Sequence, residues 1–516
     1  MLSYYQNNEF TTTVLRPYQS ADGRFTCLFQ GELINGQMLR NKLEKTGVYI
    51  HSDRSEEIIL ELFLFSGESF AKLLRGKFAI IIYDHELHQI IAVRDRYGIC
   101  RLHYKLVKNG IAFSSKLISF MPKGGWSLDA FDHTTLRHYF SGGYFPEEET
   151  FLTHVAHLPA GCLLKYDDAS GLSVTPFANL LVLEGSLQQV VMKEELYDIM
   201  TESIQARLQK TDAIGIFYQG KLAELVLNTT AKLAGYDIFL FQAEFASTEK
   251  TTPHFDGRLI KRKITPEDYW KSALETTRIL GLPVADPQMP VDYLLAELAQ
   301  KHVDVLLSTD GAELLFGKEE SSFEKLRHAK KTSIFSEKEK EAWLAFQGEK
   351  WEEFLAPYLA EISDLKQPFQ KETLALNTTL KGSTVLKTET IATHFDLVTR
   401  YPFLDDQTVD IANFLTCDEK KSMNLIKQIF TTKNNRFQMP MRKKNHQIPL
   451  AKWIRIDLYE FIKALFEEEV VALFFDQEAL MMLLLQHRKN KGDHSEKIWA
   501  VVIFTFWLKT VLKLNT

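Results

Sequence analysis

Ala213-Ile214-Gly215-Ile216-Phe217-Tyr218-Gln219-Gly220-Lys221-Leu222-Ala223-Glu224-Leu225-Val226-Leu227 is a short apolar run that breaks at Gln219-Gly220-Lys221 and resumes with apolar residues at helical spacing. The pattern predicts a buried strand, a tight turn and a helix N-terminus. In an open α/β sheet such a junction lies at the carboxyl end of a strand, where the first helical turn offers unpaired N–H groups to an anion. The place is that of a phosphate site, but the residues are unusual for one. The turn has a single glycine, no serine or threonine, and a carboxylate at Glu224.

Outward from this stretch, long helical patterns alternate with single apolar strands. Glu194–Lys210 reads as helix, Ala213–Tyr218 as strand, Ala223–Ala234 as helix and Ile238–Phe245 as strand; helix Val291–Lys301 and strand Val303–Leu307 continue the rhythm. The alternation implies parallel strands joined by crossover helices. Upstream, from about residue 22 to 185, short strands dominate: Arg24–Leu33, Lys77–Tyr83, His88–Val93, Arg101–Leu106 and Gly110–Ser114, with helices over Asn35–Gly47 and Ser55–Phe65. This half is α+β. Downstream of about Ser321 the chain is mostly helical and ends in the apolar segment Trp499–Leu514, whose Ile498–Leu508 portion reads as core. We expect a linker near Ala178–Gln189 and two domains, residues 1–185 and 186–516.

With 516 residues the chain can bury more than one core, and 45% hydrophobic with 25% charged residues is ordinary for a soluble globular protein. A formal charge of −6 argues against nucleic acid or anionic membrane as a partner. Met1-Leu2-Ser3-Tyr4-Tyr5-Gln6 lacks the basic and apolar regions of a signal peptide, and the most apolar windows are too short to cross a bilayer. The four cysteines, Cys27, Cys100, Cys162 and Cys417, have no metal-binding spacing and read as buried thiols, so a cytoplasmic location is expected.

Several blocks resemble the glutamine-dependent asparagine synthetases. Gly31-Glu32-Leu33-Ile34-Asn35, Arg75-Gly76-Lys77-Phe78-Ala79-Ile80, Arg94-Asp95-Arg96-Tyr97-Gly98-Ile99, Leu158-Pro159-Ala160-Gly161, Ser308-Thr309-Asp310-Gly311-Ala312-Glu313-Leu314-Leu315-Phe316-Gly317, Arg400-Tyr401-Pro402-Phe403-Leu404-Asp405 and Pro449-Leu450-Ala451-Lys452-Trp453 follow in that family's order. The resemblance implies an N-terminal class II glutamine amidotransferase-like (Ntn-type) sandwich of two antiparallel sheets. It implies a C-terminal PP-loop ATP pyrophosphatase-like domain around a parallel sheet. In the family, ammonia from glutamine attacks an acyl-adenylate to form an amide.

The departures are informative. The family's glutaminase nucleophile is a cysteine after the initiator methionine; position 2 here is Leu2, and a hydrocarbon cannot attack an amide. The segment ahead of Gly31-Glu32 is shorter than the family's, which predicts missing strands around the glutamine. Gly31, Glu32 and Asp53 are remnants of that pocket, with Gln30 where the family has its oxyanion-side asparagine. Cys27 falls inside a predicted strand and does not replace the nucleophile. At the opening stretch the family carries Ser-Gly-Gly-Leu-Asp-Ser-Ser, whereas this chain offers Gln219, Gly220, Lys221, Leu222, Ala223, Glu224 and Leu225. Ala223 cannot bind Mg²⁺, and a carboxylate roughly 5 Å from a phosphate at an effective dielectric of about 20 costs about 3 kcal/mol. Gly220, Ser308, Asp310 and Gly311 remain as remnants of the ATP site, with Asp310 the remaining Mg²⁺-site carboxylate. Lys443, in Met441-Arg442-Lys443-Lys444-Asn445-His446, sits in register with the family's catalytic lysine. Arg400 reads as architectural.

Two functions fit. The first is a pseudoenzyme, a scaffold, regulator or non-catalytic subunit beside a protein partner such as an active paralogue, a peptide-processing enzyme or a second copy; it needs no cofactor. The alternative is a glutamine-independent amide ligase similar to β-lactam synthetases and lasso-peptide cyclases, which would use ATP and Mg²⁺. The ligases need the phosphate loop that is eroded here, which favours the first.

Overall fold

The computed structural model describes residues 2–6, 9–12, 17–121, 131–145, 150–178, 189–208, 213–246, 258–317, 333–364, 385–415, 423–433 and 448–511. The chain divides into one unit of Met1–Asp132 with Glu147–Val182 and a second of His133–Pro146 with Leu183–Thr516.

In the first unit, strands β1 (Leu2–Gln6), β2 (Glu9–Thr12), β7 (His103–Val107), β8 (Gly110–Ser114) and β9 (Ala156–His157) form a five-stranded sheet in the order β2-β1-β8-β7-β9. Strands β3 (Tyr18–Gln19), β4 (Phe25–Leu33), β5 (Gly76–Asp84), β6 (Gln89–Arg94), β10 (Cys162–Asp167) and β11 (Gly171–Pro176) form a six-stranded sheet, β11-β10-β6-β5-β4-β3. Its pairs are antiparallel, with Phe25 opposite Asp84 and Leu33 opposite Gly76. β5 shows why the sheets stack. Successive side chains of a strand point to opposite faces. Ala79, Ile81 and Tyr83 meet Ile111 and Phe113 of the other sheet, while Phe78, Ile80 and Ile82 pack under helices α1 (Gly36–Lys45), α2 (Ser55–Ser66) and α3 (Phe70–Leu73). The short segment before Gly31 still supplies β1, β2 and β3, because β1 pairs with β8 from Leu2–Ser114 to Gln6–Gly110 and completes the smaller sheet.

The Arg94-Asp95 block closes this unit from inside. Asp95 is fully buried and accepts from the N–H groups of Phe78, Tyr97, Ile99 and Cys100; burial pushes its carboxyl up to about 6 against those four donors. Arg94 donates to the carbonyls of Gly98, Cys100 and Leu158.

The second unit is built on a parallel sheet of β12 (Ile214–Phe217), β13 (Ile238–Glu244), β14 (Arg258–Lys263), β15 (Val305–Leu307) and β16 (Val398–Arg400), ordered β14-β13-β12-β15-β16. Helices α4 (His133–Gly142), α5 (Gln189–Gln205), α6 (Leu222–Leu233), α7 (Pro266–Leu280), α8 (Met289–Ala299) and α9 (Ala312–Phe316) lie in this unit. α5 ends before the expected Lys210: from Arg207 the backbone bonds tighten to three-residue spacing, with Arg207 N to Ile204 O at 3.1 Å and Leu208 N to Gln205 O at 3.0 Å. β14, Arg-Leu-Ile-Lys-Arg-Lys, has no apolar run to announce it; at the sheet edge its charges pair outward, Lys261 with Glu244 and Arg262 with Glu297. The helix Ser495–Thr510 buries every residue from Ile498 to Leu508, as its apolar composition predicts. No helix among the described residues is long and apolar enough to cross a membrane.

Candidate functional site

The strand-turn-helix at Ile214–Leu233 forms as the sequence predicts, and β12 lies between β13 and β15. Ile214 is in register with Val305, so the turn after β12 and the segment after β15 emerge side by side at the carboxyl edge of the sheet. Gly220 adopts φ 83°, the left-handed region that only glycine enters without strain, and this turns three successive N–H groups inward. All three are taken. Gln219, Gly220 and Lys221 donate to Oε2 of Glu224 at 2.8, 2.9 and 3.0 Å. The carboxylate is 2% exposed, and burial pushes it up to about 7 against the pull of the three N–H groups and Lys221. Glu224 therefore stands beyond the role its sequence position suggested: it occupies the anion position itself.

The second motif is joined to the first by charge. Lys221 Nζ reaches Glu313 Oε1 at 3.1 Å, so two residues at which this chain departs from the resembling family bind each other. Ser308 follows β15, and its hydroxyl accepts from Asp310 N at 3.0 Å. Gly311 precedes α9. Burial raises the Asp310 carboxyl, and its Oδ2 has no hydrogen-bond partner among the described residues. Gly220, Ser308, Asp310 and Gly311 thus come together at one sheet edge, while Lys443 lies outside the described residues.

Three more charged residues gather here that sequence reasoning missed. Lys387, in the helix Val385–His394, is paired through Nζ with Asp286 Oδ2, and its charge also acts on Asp292 and Asp310. Lys387 holds Asp286 below the usual carboxylate range despite burial. Asp292, on α8, is pushed by burial up to about 7. The Asp286-Pro287 turn ahead of a helix was the one visible signal; nothing around Lys387 marks it. Arg400 is architectural as expected, donating to the Arg207 carbonyl at 2.7 Å, and Arg207 in turn binds Asp405 at 3.2 Å.

In the first unit Gly31 and Glu32 lie on β4, and Gly31 needs no pocket to explain it. At φ 135° an added Cβ would sit 2.0 Å from the Lys77 carbonyl oxygen, so the close pairing of β4 and β5 demands glycine. Asp53 is in the loop before α2, its side chain 100% exposed and held by Arg40 at 2.6 Å. Cys27, Cys100 and Cys162 are all buried, and burial raises the Cys27 thiol far above its ordinary range.

Residues 9–177 match the family model of a glutamine amidotransferase domain, and residues 235–509 that of asparagine synthase. Asparagine synthetase [glutamine-hydrolyzing] 1 of Bacillus subtilis (strain 168) is 23% identical over 549 residues, covering 95% of this chain and 86% of its own. A putative asparagine synthetase [glutamine-hydrolyzing] of Mycobacterium tuberculosis (strain H37Rv) is 23% identical over 558 residues, covering 94% and 84%. The paired antiparallel sheets carry the first match and the parallel sheet the second, and on that ground the chain belongs to the asparagine synthase family.

Proposed function

We propose that this chain keeps the family's fold without its two chemistries and acts as a non-catalytic scaffold, regulator or subunit for a protein partner. The observation that carries the reading is the Glu224 carboxylate held by the three N–H groups of Gln219, Gly220 and Lys221. The residues of this turn do not fit a nucleotide triphosphate with its magnesium. The donors that would cradle a pyrophosphate are occupied by a group covalently present at every moment. Displacing it would leave a carboxylate beside the phosphate; at roughly 5 Å and an effective dielectric of about 20 the repulsion is about 3 kcal/mol, or roughly two hundred-fold in affinity. The one basic residue of the turn, Lys221, has its Nζ paired with Glu313.

The same reading covers glutamine. An amide-cleaving thiol must be ionised and reachable. Residues 1–182 contain Cys27, Cys100 and Cys162, and all of these lie in the interior of the first unit.

The test is calorimetry of the full chain with ATP and Mg²⁺, and separately with pyrophosphate. We expect no heat at millimolar nucleotide. Micromolar binding that disappears in Asp310→Ala would overturn the proposal in favour of an ATP-dependent amide ligase.

A further inference from the structure

Two cations lie inside the second unit on facing elements. Arg137, on α4, is 1% exposed, and Lys340, in the helix Glu337–Trp343, is 0% exposed. One carboxylate serves both. Glu337 accepts from Arg137 Nη2 at 2.6 Å through Oε2, and its Oε1 pairs with Lys340. Lys340 also donates to Ser141 Oγ at 2.5 Å. Arg137 Nε and Nη1 remain, buried and without an acceptor among the described residues.

Buried donors are paired in folded proteins, and buried charges are compensated. Both hold only in part at Arg137, which shares the single Glu337 carboxylate with Lys340 and keeps two N–H positions without an acceptor among the described residues. A guanidinium cannot shed its proton, so the surplus charge is not relieved by titration of the arginine. The Glu337 side chain is itself 23% exposed, and Glu352, the other carboxylate that acts on Lys340, is exposed. Burial and the neighbouring Arg137 both lower the hold of Lys340 on its proton, as expected where positive charge is in excess. A water molecule would satisfy an N–H but leave the charge; an anion does both.

We infer that Arg137 and Lys340 hold a small monovalent inorganic anion of the halide class between α4 and the helix Glu337–Trp343, seated against the guanidinium N–H groups that Glu337 leaves unpaired. The burial of both cations selects a compact ion that needs no further donors. Its role is to lock α4, which comes from the first half of the sequence, onto the second unit.

Crystals of the full chain grown in sodium bromide test this directly. An anomalous peak in contact with the Arg137 guanidinium is expected, and a site holding only water overturns the inference. In solution, the melting temperature of the wild-type chain should rise with sodium chloride relative to sodium gluconate at equal ionic strength, and Lys340→Met should flatten that difference. Equal melting in the two salts overturns the inference as well. Should the variant fail to fold, the wild-type measurements decide alone.

Discussion

Replacing Glu224 by glutamine keeps the size of the side chain and an acceptor oxygen for the three N–H groups while deleting the charge. Burial raises the wild-type carboxyl from 4.5 to about 7 in the folded chain. Because the folded value lies above the unfolded one, the folded state keeps the proton longer. The associated stability is complete below about pH 4.5, falls as the pH rises to about 7, and is flat above. The full change is about 3 kcal/mol. Glutamine does not titrate, so Glu224→Gln should match wild type near pH 4.5 and exceed it by about 3 kcal/mol near pH 8. Urea unfolding at stepped pH, followed by tryptophan fluorescence, reads this out, since Trp270, Trp343, Trp351, Trp453, Trp499 and Trp507 all belong to the second unit. Taking the difference between variant and wild type removes the contributions of Asp95 and Asp292, which titrate in the same window. A glutamine variant less stable than wild type near pH 8, or a difference that ignores pH, would refute the reasoning. It would mean that the grip of the three N–H groups outweighs the cost of burying the charge.

Lys387→Met removes the ammonium bound to Asp286 and should cost roughly 3–5 kcal/mol of second-unit stability, the usual loss when a buried ion pair is broken from one side. With the cation gone, Asp286 loses the partner that holds its carboxyl below 3.8, so the loss should be smallest at pH values below 3.8 and grow as the pH rises above it; a small or pH-independent loss in urea titrations counts against the cluster. Gly31→Ala forces a Cβ to 2.0 Å from the Lys77 carbonyl at a positive φ and should destabilise the first unit by roughly 2–6 kcal/mol. Unchanged melting by circular dichroism would show that β4 and β5 approach less closely than described.

Much of the fold was legible because periodicity is local. The unbroken apolar run of β5, the helical spacing of Leu222–Leu233 and the uniformly apolar Ile498–Leu508 each carry their burial in the residue order. The turn at Gln219-Gly220-Lys221 was equally readable, since glycine marks a left-handed turn between two apolar segments. β14 was not, because an edge strand can be basic on both faces when its partners, Glu244 and Glu297, come from other elements. The same holds for the charge clusters. Lys387 meets Asp286 across 101 residues of sequence, and no spacing rule reaches that far.

The sequence by itself determined that the phosphate turn lacks its hydroxyls and second glycine and that Glu224 sits within a few residues of it. Only the tertiary structure decided where that carboxylate goes. Residue types report what a site has lost. Whether the loss leaves an empty nest or a filled one depends on the path of the backbone, and here a left-handed glycine and one turn of helix bring Glu224 Oε2 to the point where three N–H groups converge.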